Sequence, residues 1–154
     1  MATTIIPSDL VVTITESYSL NGVDYGNTMT QTFQANGQVS QRVMSIAGKG
    51  EGAVFTDILA LNTLDGRGQV VKANYKYFRI QNLDDSNNLN LRIYNGADYV
   101  YFQIAPSDTI LLMNAGIDAA TAASAITFAD ITQISGQSSN ATAAVDIEFV
   151  IVTT

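Results

Sequence analysis

The chain has 154 residues, a formal net charge of −7, 47% hydrophobic and 14% charged residues, and neither histidine nor cysteine. A length of this kind suits one domain that buries roughly 70% of its unfolded surface without a metal or disulfide, and the composition excludes a disordered chain. The acidic balance opposes a nucleic-acid partner. Without histidine there is no Ser-His or Cys-His machinery and no His-based metal site, and without cysteine there is no disulfide or thiolate chemistry.

The chain opens on Met1 to Ser8, read as an N-terminal arm that carries Ile5, Ile6 and Pro7, followed by a single domain over 9–154. No charged segment followed by a long apolar run is present, so no secretory signal is expected. No apolar run approaches ~20 residues, so no membrane span and no membrane partner are expected, and the protein is expected to be soluble when made.

Asp9 to Glu16 alternates, with Leu10, Val12 and Ile14 on one face, and predicts a strand. Asn21-Gly22 is the strongest short hairpin signal. The returning limb, Val23 to Gln34, is long and mostly polar, which suits an edge ribbon or projecting loop. After Asn36-Gly37 a strand resumes over Gln38 to Ala47, where Val39, Val43, Met44 and Ile46 break parity and predict a bulge near Arg42. Gly48-Lys-Gly-Glu-Gly52 has glycines and a lysine but no Ser or Thr opening a helix, so it reads as a flexible loop and not a phosphate cradle. A strand-like run, Ala53 to Leu61, a turn region, Asn62 to Gly68, and the lead-in Gln69 to Asn74 follow.

From Tyr75 to Asn114 the period of two is clearest, and consecutive antiparallel strands are predicted. Phe78, Ile80, Leu89, Leu91, Ile93, Val100, Phe102 and Ile104 keep the parity of a core face. Tyr75, Tyr77, Arg79, Arg92, Tyr94, Tyr99 and Tyr101 keep the other, so five of the seven tyrosines and two of the four arginines share the outward face. Tyr and Arg are over-represented at binding hot spots, and this face is a candidate contact surface. Tyrosine is also a good strand former, and cross-strand Tyr pairs on a solvated sheet explain the same pattern. Asp84-Asp-Ser-Asn-Asn88 places oxygens like the first half of a calcium loop, yet lacks the central Gly and closing Glu and sits between strands, so it reads as a turn.

Beyond Asn114-Ala-Gly, an Ala-rich segment over 118–125 predicts at most one short helix, capped by Asp118. Ile126 to Ile134 is strand-like with a parity break at Asp130–Ile131, and Ser135-Gly-Gln-Ser-Ser-Asn140 reads as a loop. Val145, Ile147, Phe149 and Ile151 alternate with Asp146 and Glu148 in a closing strand. Eight to ten strands with turn signals every eight to twelve residues predict an all-β fold, a single antiparallel β-sandwich. Jelly roll is the first choice and an immunoglobulin-like sandwich the second. Asp57 and Asp130 lie inside apolar runs, but no carboxylate pair marks a cleft, and no enzyme, cofactor or metal is expected.

The run Tyr77-Phe-Arg-Ile-Gln-Asn-Leu83, a polar turn, Leu89-Asn-Leu-Arg-Ile93, Asn95-Gly96, and Tyr101-Phe-Gln-Ile-Ala-Pro-Ser-Asp-Thr-Ile-Leu-Leu112 resembles small β-sandwich virion proteins of tailed bacteriophages. The likeness covers residues 75–114, and its motifs are structural, not catalytic; Pro106-Ser107 stands where such proteins often have Pro-Gly. It implies a non-enzymatic virion structural protein made in the cytoplasm of a bacterial host. The role it implies first is capsid decoration (cement), by homo-oligomers, trimers favoured, that bind the major capsid protein. The arm residues Ile5, Ile6 and Pro7 and the Tyr/Arg face would then make the contacts. A tail, neck or fibre subunit using the Val23 to Gln34 limb between subunits is the alternative. A carbohydrate-binding sandwich is the alternative of another class.

Overall fold

Alternating side chains need a pleated strand with one face covered. The computed structural model describes residues 8–36, 38–50, 54–62, 70–71, 75–113 and 130–153, and among these described residues there are thirteen strands. They are β1 (Ser8–Glu16), β2 (Ser19–Leu20), β3 (Val23–Asp24), β4 (Asn27–Asn36), β5 (Gln38–Ile46), β6 (Thr56–Asn62), β7 (Val70–Val71), β8 (Tyr75–Asn82), β9 (Leu89–Tyr94), β10 (Tyr99–Ile104), β11 (Thr109–Met113), β12 (Gln133–Ser138) and β13 (Val145–Thr153). No helix lies among the described residues, and the helix expected over 118–125 falls outside them.

Two compact units are present, the first within 1–38 and the second within 39–153. In the first, β1 and β4 pair antiparallel from Ser8↔Asn36 to Glu16↔Asn27, and β2 and β3 close the ribbon. Asn21 (φ 53°) and Gly22 (φ 79°) both take the left-handed region, as a two-residue type I′ turn demands. Tyr18 and Tyr25 stack beside it with centroids 5.7 Å apart.

The second unit is a two-layer sandwich. One sheet has the order β10-β9-β12-β6-β7 and the other β11-β8-β13-β5. Numbering its eight main strands in chain order, with β7 set aside, the sheets read second-seventh-fourth-fifth and first-eighth-third-sixth. That interleaving is the jelly roll, two Greek keys folded on one another. β7 is an addition that pairs parallel with β6, Leu61 against Val70. The core between the layers holds Ile46, Ile58, Phe78, Ile80, Leu89, Leu91, Ile93, Ile134, Val145, Ile147, Phe149 and Ile151, with the Phe78 and Phe149 rings 6.3 Å apart.

Three local expectations change. Alternation in β5 does not break at Arg42: Val39 and Val43 face outward, while Met44 and Ile46 pack on the core. The stretch Ser135–Ser138, expected as a loop, is the buried centre of a sheet, with β12 between β9 and β6. Its lack of bulk is the reason. A Cβ on Gly136 would stand 3.0 Å from Ile58 Cδ1 and 3.1 Å from Leu89 Cδ1, so aliphatic side chains of the flanking strands β6 and β9 already fill that space. Finally, β8 does not continue into β9 within one sheet. The turn after Asn82 carries the chain from one layer to the other.

Asn82 secures that crossing. Its side chain is fully buried; Nδ2 donates to the carbonyls of Asn87 (2.9 Å), Ile104 (3.2 Å) and Ala105 (3.1 Å), and Oδ1 accepts from the Asp84 amide (3.0 Å). The Asp84 carboxylate is committed to the turn, accepting from the amides of Asn87 (2.6 Å) and Ser86 (2.8 Å). The Asn87 amide foremost, then that of Ser86, holds its carboxyl below the ordinary value. Lys49 and Gly50 donate their amides to the carbonyls of Asn140 and Ala141. The described part of the glycine loop is therefore an ordered corner.

Candidate functional site

The crossing between layers splits the Tyr/Arg face in two. Tyr75, Tyr77 and Arg79 lie on β8 in the four-stranded sheet, and Arg92, Tyr94, Tyr99 and Tyr101 on β9 and β10 in the five-stranded sheet. Tyr75 and Tyr77 are each 7% exposed, so neither offers contact area on this chain. The Tyr75 hydroxyl donates to the Leu112 carbonyl at 2.8 Å, and burial pushes its phenol above the ordinary value. Arg79 pairs with Glu148 at 2.7 Å, and Glu148 also accepts from Gln41. That group reads as a sheet-surface bridge. Ile5, Ile6 and Pro7 lie outside the described residues.

The second group converges. Register places Tyr101 opposite Arg92 and Arg92 opposite Ser135, with Tyr99 opposite Tyr94 in the adjoining row. The Arg92 guanidinium carbon lies 4.3 Å from the Phe55 ring centroid and 4.6 Å from that of Tyr99. Its Nε donates to Ser135 Oγ at 3.0 Å. Tyr94 and Tyr99 stack at 4.5 Å, and Tyr101 adjoins both Tyr99 (6.3 Å) and Phe55 (6.2 Å). The Tyr94 hydroxyl is tied to the Gly96 carbonyl at 2.8 Å. Each arginine–ring contact contributes about 0.5–1 kcal/mol at a half-open site, so the side chains are held in place before any partner arrives. Tyr99 and Tyr101 remain 42% and 61% exposed. The result is a rigid aromatic platform with a cation at its centre, flanked by the hydrogen-bonded side-chain pairs Gln133–Asp57 and Gln103–Asn90.

Phe55 was not singled out by the sequence. It precedes β6, and only the order β9-β12-β6 brings it over Arg92; parity carries no signal of that. Asp57 is exposed and bonded to Gln133, and Asp130 is also exposed. A cleft of about 410 Å³ opens between the edge strands β10 and β11, lined by Phe102, Gln103, Ile104, Asp108, Thr109 and Ile110. Asp108 is its one acidic lining residue, and two-carboxylate glycoside hydrolysis needs a pair. Among the described residues no cluster of three or more acidic, His or Cys side chains is placed to hold a metal. Comparison with protein-family models, with curated proteins and with solved structures found no match.

Proposed function

We propose that this protein is a non-enzymatic structural subunit that acts through protein–protein contacts, with the platform around Arg92 as a docking surface. The observation that carries the reading is the Arg92 guanidinium held between Phe55 and Tyr99 beside the open Tyr101 ring. Arginine and tyrosine pre-set in this way supply large contact area at little entropic cost, which is the chemistry of interface hot spots. In line with the likeness of residues 75–114, the particle is proposed to be a tailed-phage virion and the role capsid decoration on the major capsid protein, with a tail, neck or fibre subunit as the alternative. The jelly roll is compatible with this role and does not specify it, because capsid proteins, lectins and cupins share it.

Immunogold labelling of phage particles with an antibody against this chain separates the readings. Label over heads supports decoration, label over tails or necks supports the alternative, and unlabelled particles overturn the virion reading. A glycan array tests the other class. Binding to a sugar that is lost in Tyr101→Ala replaces the protein-contact reading with a carbohydrate-binding module.

A further inference from the structure

We propose that β4 is an assembly edge, and that its partner is β4 of a second copy of this chain, paired antiparallel about a two-fold axis at Gln31. The inference concerns the first unit and does not rest on the platform around Arg92. Among the described residues β4 pairs with β1 alone, so alternate backbone N–H and C=O groups of a ten-residue strand point away from the ribbon. A two-stranded ribbon is marginal in water, and an open edge is a template for another strand. Other edges in the protein are blunted. β10 and β11 are five or six residues long and each follows an aspartate, Asp98 and Asp108; β5 contains Arg42, and β1 contains Asp9 and Glu16. β4 contains no charge and no proline, and Asn27 to Thr32 are exposed.

The sequence of β4 selects the occupant. Thr28-Met-Thr-Gln-Thr-Phe-Gln34 reads nearly alike in both directions about Gln31. Antiparallel pairing centred there sets Gln31 against its own copy, Thr30 against Thr32, Met29 against Phe33 and Thr28 against Gln34. A two-fold contact demands this self-complementarity. Threonine pairs are favourable across strands, and no like charges meet. Met29, 50% exposed, gains an aromatic neighbour; Phe33 is already buried, so that gain falls on the methionine. Leu10, Val12 and Ile14 stand opposite Phe33, Gln31 and Met29, so pairing joins the apolar faces of two ribbons into one four-stranded sheet, β1-β4-β4-β1.

Cysteine cross-linking of the full chain tests the register, since the protein has no cysteine of its own. Gln31 lies on the proposed axis, so Gln31→Cys oxidises to a covalent dimer. Thr28→Cys and Gln34→Cys each lie roughly 20 Å from their own copies, six residues apart at ~3.4 Å each. Neither cross-links alone, and the two cross-link when mixed. In sedimentation equilibrium the unmodified chain reaches the mass of two chains, and Gln31→Lys, which opposes like charges, weakens it roughly two- to fivefold. Circular dichroism confirms that each variant is folded. A folded Gln31→Cys that stays monomeric on oxidation overturns the proposal, as does equal cross-linking of all three single variants. A trimer without the Gln31→Cys cross-link, or pairing of β4 only with another protein, overturns it as well.

Discussion

Replacing Asn82 with leucine removes the side chain that joins the end of β8, the end of β10 and the 84–87 turn. Leucine fills a similar volume, so the change isolates hydrogen bonding from cavity formation. Three carbonyls lose a donor and the Asp84 amide loses its acceptor. Only the bond to Ile104 is fully buried; the other three are partly open. A buried group left unpaired costs about 1–3 kcal/mol, and partly open ones recover water and cost less, so the whole change is expected to cost about 3 kcal/mol. Urea unfolding followed by far-UV circular dichroism, suited to a chain without tryptophan, measures it. With a slope of about 2 kcal/mol/M, the midpoint falls by roughly 1.5 M. Asn82→Asp, which retains an acceptor but brings in a buried charge, is expected to be worse. A loss below 1 kcal/mol for Asn82→Leu would refute the idea that this amide holds the crossing between layers.

Gly136→Ala places a methyl group 3.0–3.1 Å from Ile58 and Leu89 and is expected to cost about 1 kcal/mol, since overpacked cores typically lose ~1–3 kcal/mol; unchanged thermal stability would show that those side chains yield freely. Ser107 sits at φ 64° after Pro106, the third position of a turn closed from the Asp108 amide to the Ala105 carbonyl, where glycine is preferred. Ser107→Gly should therefore raise stability by about 0.5 kcal/mol, and a lower melting temperature would contradict the turn assignment. Burial pushes the Tyr75 phenol above its ordinary value, so the unfolded chain ionises first. Its contribution is intact below about pH 10 and is lost as pH rises above it. Tyr75→Phe should flatten that alkaline decline while losing about 1 kcal/mol at neutral pH with the bond to Leu112. An identical pH profile for the two proteins would show that Tyr75 ionises freely in the folded state.

Where the sequence was legible, the reason is local. Alternation in Leu89–Tyr94 and Val145–Thr153 follows from the geometry of a single strand, and the inward parity predicted for Leu89, Leu91, Ile93, Ile147, Phe149 and Ile151 is the parity that packs the core. Asn21-Gly22 announces its hairpin because few residues tolerate two successive positive φ angles. Eight to ten such strands with frequent turns already imply two packed sheets. Ser135–Ser138 was hidden because small polar residues imitate a loop, and they suit a central strand only when bulky neighbours fill their space, as Ile58 and Leu89 on the flanking strands do over Gly136.

What only the tertiary structure decides is which strands are neighbours. Parity tells inside from outside but not one sheet from the other, and sheet membership depends on pairings far apart in sequence, such as β13 with β8 and β12 with β6. Tyr75 and Tyr101 share a parity, yet the turn after Asn82 sends them to different layers, one buried and one open. Phe55, with no pattern to mark it, reaches Arg92 through the strand order alone. The sequence by itself determined the material of the proposed contact surface, tyrosine and arginine at alternate positions. Long-range strand pairing determined which of them meet, because a hydrogen-bonded ladder joins residues by register and not by their distance along the chain.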